Sequence, residues 1–286
     1  MKTSFAHEPG AGLADETLPG YSEMLHAYHR ARAPELRTIL AALPLRPGAR
    51  VLDVASGDGC YSLWLAERGA QVVGVDRSTA YLDLAQQRAG ASPRAQQIRF
   101  EMADASSLPF ADGTFDLAWC AQSFYSLPDP LAALREMIRV TRPGGHVAVL
   151  ENDTLHHMLL PWPAELELAV RRAQLLALSA EHAGQGLDKF YIGRNLCGIF
   201  RQCSIDRCEV QTFPVERHAP LSDDEERFLR CYFADLRERA WPYLDDATRT
   251  AFDMLFDPRA TTYLIRQPDF HLTHIESLAI GFKPPA

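Results

Sequence analysis

A chain of 286 residues, 47% apolar and 23% charged, has room for one large domain or two small ones and the composition of an ordinary globular protein. A formal net charge of −8, with no cluster of Lys and Arg, argues against a nucleic-acid partner, which needs a basic face. No apolar run reaches membrane-spanning length and Met1-Lys2-Thr3-Ser4-Phe5 lacks the apolar core of a signal peptide, so a cytoplasmic protein without a membrane partner is expected.

Residues 1–20 hold Gly, Pro, Ala and acidic residues without periodicity, and read as a mobile arm or an early lid segment. Tyr21 to Ala42 reads as one or two helices broken near Pro34, from which Tyr21, His26, Tyr28 and His29 can face a site. Val51-Leu52-Asp53-Val54-Ala55-Ser56-Gly57-Asp58-Gly59 then reads as a buried strand ending in a glycine turn, with a helix from Cys60 to Arg68 behind it. Gly57 and Gly59 allow a tight bend and close approach of a ligand, and the helix start offers unpaired N–H groups. Asp53, at the strand end, serves the glycine loop as much as a ligand.

A second strand, Gln71 to Val75, runs into Asp76, where a carboxylate suits the vicinal hydroxyls of a ribose. A third, Ile98 to Met102, is followed by Asp104, placed for an adenine edge. A fourth, Phe115 to Cys120, ends near Gln122 and Ser123. The helix Asp129 to Val140 meets Arg142-Pro143-Gly144-Gly145, which stops it and starts a fifth strand, His146 to Leu150. The glycine turn alone also admits a nicotinamide-binding fold, but Gly57-Asp58-Gly59-Cys60-Tyr61-Ser62 ends in serine where that fingerprint has glycine.

These motifs together resemble the class I S-adenosylmethionine-dependent methyltransferases of small molecules. The residues that carry the resemblance are Asp53-x-Ala55-x-Gly57-x-Gly59, Asp76, Ala103-Asp104-Ala105, Phe115-Asp116-Leu117 and Arg142-Pro143-Gly144-Gly145, continuous over about 45–151. The family usually has glycine where Ala55 stands. Many members carry a His pair where this chain has Tyr125 and Ser126. The resemblance implies a Rossmann-like, doubly wound α/β fold: a seven-stranded, mostly parallel sheet with an antiparallel edge strand at about His274 to Phe282, plus helical cap insertions. It implies S-adenosylmethionine as cofactor, bound by Asp53, Ala55, Ser56, Gly57, Gly59, Asp76, Arg77, Asp104, Ala105 and Gln122. The expected division is 1–44 as arm and covering helices, 45–151 as cofactor core, and 152–286 as caps interleaved with the last elements of the core.

Beyond the core, Trp162 to Ala183 carries an apolar stripe at helical spacing, and a helix near Arg194 to Gln202 precedes a strand at about Asp206 to Pro214. Ser222-Asp223-Asp224-Glu225 opens a further helix as a capping box, and Asp246 to Leu255 reads as a short one. Such caps at the carboxyl ends of the strands would enclose a small-molecule acceptor, in a monomer or homodimer. Methyl transfer needs a general base only when the acceptor keeps its proton, and the candidates are His156, His157, Tyr125 and His29, with His26 beside the last. A cofactor-binding protein without methyl transfer stays open as the alternative. The six cysteines, with no C-x-x-C pair, read as reduced and mostly buried thiols, and no metal site is expected.

Overall fold

The computed structural model describes residues 17–181 and 186–285, so most of the expected N-terminal arm lies outside the described residues. The chain first forms helices α1 (Ser22–Ala31) and α2 (Ala33–Ala41), separated at Arg32 with Pro34 in the first turn of α2, where its missing N–H costs nothing. Strands β1 (Arg50–Val54), β2 (Gln71–Asp76), β3 (Ile98–Met102), β4 (Phe115–Ala121) and β5 (Thr141–Glu151) alternate with helices α3 (Cys60–Glu67), α4 (Thr79–Gly90) and α5 (Pro130–Val140). These strands are parallel, in the order β3-β2-β1-β4-β5. The order reverses between β1 and β4, and ligands of open α/β sheets bind outside the strand ends at such a point.

The remaining elements are the two-residue strand β6 (Met158–Leu159), α6 (Ala164–Glu181), α7 (Ile192–Gln202), β7 (Cys208–His218), α8 (Asp223–Ala240), α9 (Asp246–Phe256) and β8 (His271–Phe282). The expected antiparallel strand is β8, which pairs with β5 from His146↔Phe282 to Glu151↔Ser277. It is not the outermost strand. Strand β7 lies beyond it, paired over Cys208↔Gly281 to His218↔His271, while β6 extends the β5 edge of β8. Arg142-Pro143-Gly144-Gly145 is not a separate stop before β5 but part of that strand: Phe115 pairs with Thr141 and Leu117 with His146, so these four residues bulge opposite Asp116.

Helices cover both faces of the sheet, as its two-sided apolar strands require. One core joins Leu36, Leu65, Trp119 and Leu150 to Val170 of α6, Phe233 and Leu236 of α8 and Phe252 of α9. The other joins Leu52, Val54, Val149 and Leu134 to Leu196 and Phe200 of α7. Helices α6, α8 and α9 therefore share one continuous core with α1 to α3, while α7 packs on the other side. Arg32, 1% exposed, fastens this side: its Nη1 donates to Glu225 Oε1 at 2.7 Å, and Arg217 Nε donates to the same oxygen at 2.5 Å. Breaking one member of such a buried charge network leaves another uncompensated, so the triad fixes where α1 docks on α8.

Candidate functional site

The turn after β1 is held from several sides. Gly57 and Gly59 have φ of +51° and +73°, the left-handed region that glycine enters without steric cost. They do so for different reasons. A Cβ on Gly59 would stand 2.8 Å from both Ala85 Cβ and Phe100 Cζ, so that glycine lets α4 and β3 pack against the turn. Among the described residues a Cβ on Gly57 would meet only Leu25 Cδ2, at 4.0 Å, so they leave its backbone uncrowded beneath α1. Ala55 is also left-handed, at φ +54°, where an L side chain costs about 1–2 kcal/mol.

Asp76, at the tip of β2, reaches across to this loop. Its Oδ2 accepts from Gly57 N at 2.8 Å and its Oδ1 from Ser78 N at 2.9 Å, while burial raises the carboxyl above its ordinary value against those hydrogen bonds. Ser56 is buried and its Oγ has no hydrogen-bond partner among the described residues. Arg77 follows, half-buried. Asp53 points the other way. It is 2% exposed, accepts from Ser62 Oγ at 2.6 Å, and burial pushes its carboxyl up to about 7. It ties β1 to α3 instead of facing the open side of the loop. Asp104 is exposed and occupied locally, accepting from Ser106 N at 2.8 Å and Ser106 Oγ at 2.6 Å, and Ala105 packs against the second core.

Asp58, between the two glycines, clamps the loop to its neighbours. Its Oδ2 lies 2.8 Å from Arg88 Nη1 of α4, its Oδ1 3.5 Å from His29 Nδ1 of α1, and it accepts from Cys60 N at 3.1 Å. Burial alone would raise this carboxyl; His29, Arg88 and the Cys60 N–H outweigh it and hold it at about 2. Cys60 stands close enough that its sulfur and the donor atoms of His29 and Asp58 lie within 4.8 Å of one another. The Arg88 guanidinium already supplies the cation this carboxylate needs, which argues against a metal there.

A second polar group closes the strand tips next to the loop. Gln122, at the end of β4 with φ +51°, donates through Nε2 to Tyr28 Oη and, at 3.0 Å, to Glu276 Oε1. Tyr28 Oη of α1 donates to the same Oε1 at 2.5 Å, and Tyr61 Oη of α3 reaches Gln122 Oε1 at 3.5 Å. His274 Nε2 lies 2.8 Å from Glu276 Oε1, and both residues are at most 2% exposed. Burial raises the Glu276 carboxyl, yet His274 and the Tyr28 hydroxyl bring it net below its ordinary value. Glu151, at the tip of β5 and fully buried, accepts through Oε1 from Phe124 N at 2.6 Å; burial, with Glu276 adding to it, pushes its carboxyl up to about 8.

Residues 52–149 match the protein family described as "Methyltransferase domain". The chain is 42% identical over 118 residues to a demethylmenaquinone methyltransferase of Beutenbergia cavernae, an overlap of 41% of this chain and 47% of that one. It is 35% identical over 133 residues to the 27-O-demethylrifamycin SV methyltransferase of Amycolatopsis mediterranei, covering 46% of this chain and 47% of the relative. The family match places a methyltransferase domain over the strands and glycine turn of the parallel core. The chain spans about half the length of these curated relatives. The solved structure of the YcgJ protein of Bacillus subtilis shares the fold, with a TM-score of 0.56 at 18% identity over 89% of this chain and all of that one.

The four residues expected to act as a base do not converge in this fold. His156 is exposed, 5.8 Å from the ring of Tyr191. His157 turns inward, with Nδ1 3.1 Å from the carbonyl oxygens of both Asp153 and Thr154, and burial followed by His274 pushes it down to about 3. A group that weakly basic gains nothing by taking a proton near neutrality. Tyr125 packs against Leu155, Leu178 and Phe190, and burial lifts its hydroxyl above its ordinary value. His29 is buried with Nδ1 3.5 Å from Asp58 Oδ1, and neither ring nitrogen has a hydrogen-bond partner among the described residues. Sequence reasoning missed Glu276, His274 and Glu151. A signal existed: along β8 the buried face reads Leu272, His274, Glu276, Leu278, so two ionisable residues occupy apolar positions of a period-two strand.

Proposed function

We propose that the protein transfers the methyl group of S-adenosylmethionine to a small organic acceptor held at the tips of β4, β5 and β8, beneath α1 and α8. The observation that carries this reading is the pairing of Asp76 with Gly57 at the point where the strand order reverses, with the Gly57 backbone left uncrowded by the described residues. Those residues fit the cofactor: a ribose offers hydroxyls to a strand-tip carboxylate, and a Cβ-free backbone admits a close ligand. Gly57, Ser56, Ala55 and Asp76, with Arg77, would hold it, and Gln122 would stand near its methionine end. Asp53 and Asp58 would act through the loop they brace. When bound, the cofactor supplies an electrophilic methyl carbon on a positively charged sulfur. The chain's own part is to align the acceptor, exclude water and accept any proton the nucleophile must lose. The demethylmenaquinone and demethylrifamycin enzymes named above support a small-molecule acceptor of this kind.

The test is calorimetric titration of ligand-stripped protein with S-adenosylmethionine, with NADH as the control, repeated on Asp76→Ala. One-site binding of the sulfonium alone, weakened by about 1–3 kcal/mol in the variant, is expected from losing hydrogen bonds to a charged group. Binding of NADH instead, or an affinity indifferent to Asp76, would overturn the assignment.

A further inference from the structure

The polar cluster at the strand tips has an unbalanced supply of hydrogen-bonding groups. Its donors are already directed to oxygens within it: Tyr28 Oη and Gln122 Nε2 to Glu276 Oε1, Gln122 Nε2 also to Tyr28 Oη, and Tyr61 Oη to Gln122 Oε1. Two carboxylate oxygens, Glu276 Oε2 and Glu151 Oε2, have no partner among the described residues, although Glu276 is 1% and Glu151 0% exposed. His274 Nδ1, on a side chain 2% exposed, is likewise unpartnered. Buried acceptors are left unsatisfied at a cost, and such atoms in a native fold call for an explanation.

The surroundings favour positive charge. Glu276 takes its hydrogen bonds and ion pair from Tyr28, Gln122 and His274, none of them a lysine or arginine. Tyr28 is bordered by the rings of Phe228, at 5.5 Å edge-on, and His29, and Tyr61 by those of Trp64 and Trp119 at 5.6 Å. Aromatic faces beside buried carboxylates attract cations. The unpartnered Oε2 of the Glu276 carboxylate and these π faces together complement a group that brings both N–H donors and a positive charge, while Glu151, protonated below about pH 8, adds hydrogen-bonding capacity without charge.

We propose that this cluster is the acceptor-recognition site and that it selects an amine, whose ammonium donates to Glu276 Oε2 with Glu151 beside it. The inference rests on the methyltransferase reading above. Before transfer the ammonium releases one proton to solvent water, and the freed nitrogen lone pair forms the N–C bond to the methyl carbon. The carbon–sulfur bond breaks with its electron pair retained by sulfur, and the positive charge passes from sulfur to the N-methylammonium product. Glu276 is then the residue that binds the acceptor nitrogen, its depressed carboxyl being too weak a base to keep the proton; Tyr28 and Gln122 are positioning residues that orient its carboxylate.

The experiment titrates the full chain, saturated with S-adenosylhomocysteine, with matched probes on three scaffolds: the phenylethyl, indolylethyl and n-hexyl groups, each as amine, alcohol and carboxylate. On at least one scaffold the amine should bind about tenfold or more tightly than its alcohol, with the carboxylate weakest, the scale of a lost charge-assisted hydrogen bond. Glu276→Gln should erase that preference while leaving the adenosylhomocysteine affinity unchanged within about threefold. Glu151→Gln, which keeps the acceptor for Phe124 N–H, should reduce the preference by a smaller factor when titrated at about pH 9, where the wild-type carboxyl is ionised, and serves if Glu276→Gln does not fold. An alcohol or carboxylate binding as tightly as its amine on every scaffold, or a preference intact in both variants, overturns the proposal. Failure of the wild-type protein to bind adenosylhomocysteine would instead sink the cofactor reading.

Discussion

Glu151→Gln is expected to make the protein more stable at alkaline pH, and the size of the effect follows from the burial of one carboxyl. In the unfolded chain this group titrates near 4.5, whereas in the fold burial, with Glu276 adding to it, holds the proton to about 8. The folded state therefore binds the proton more tightly. The associated stability is fully present below 4.5 and is lost as pH rises through about 8. That span of roughly three and a half pH units corresponds to about 5 kcal/mol at most, and relaxation or water entry around the carboxylate lowers it to about 2–4 kcal/mol. Gln cannot ionise and retains the oxygen that accepts from Phe124 N at 2.6 Å. Its new amide can donate toward the acceptor-rich neighbourhood of Glu276. Urea unfolding of both proteins at pH 5, 6.5 and 8 provides the assay. The variant's advantage should grow by about 2–4 kcal/mol from the lowest pH to the highest. A difference that stays constant across this range would show that Glu151 does not hold its proton in the fold, and the electrostatic account of the strand tips would fall with it.

Two further outcomes follow from the loop. Ala55→Gly should raise stability by about 0.5–1 kcal/mol, because relief of an L residue at φ +54° exceeds the extra chain entropy of glycine; a thermal melt should shift up by about 1–2 °C, and a fall in Tm would refute it. Asp58→Asn should cost about 2 kcal/mol at pH 6, since a buried carboxyl held at about 2 contributes stability above its unfolded value near 3.8 that is lost as pH falls through about 2. The gap between variant and wild type in urea should therefore close toward pH 2, and a gap independent of pH would remove His29 and Arg88 as its cause.

Much of the core was legible along the chain because its signals are local. The strand, glycine turn and helix at 51–68, the acid at Asp76 and the capping box at Ser222 each depend on neighbours a few positions apart, and they appear with boundaries shifted by only a few residues. Less legible was the direction in which a side chain points at a strand end. Asp53 and Asp76 look alike as strand-end acids, yet one is buried on Ser62 and the other meets Gly57. The outer position of β7, beyond β8, was likewise invisible, because pairing joins residues as distant as Cys208 and Gly281.

The sequence by itself determined the parallel core and its glycine loop, since backbone geometry and apolar periodicity are written in short windows. Only the tertiary structure decided which polar groups share a site. Tyr28, Gln122, Glu151, His274 and Glu276 come from four elements spread over nearly the whole chain, and no short window contains them together. Their chemistry arises from burial and from the partners each one lacks, and both exist only once the helices close over the strand ends.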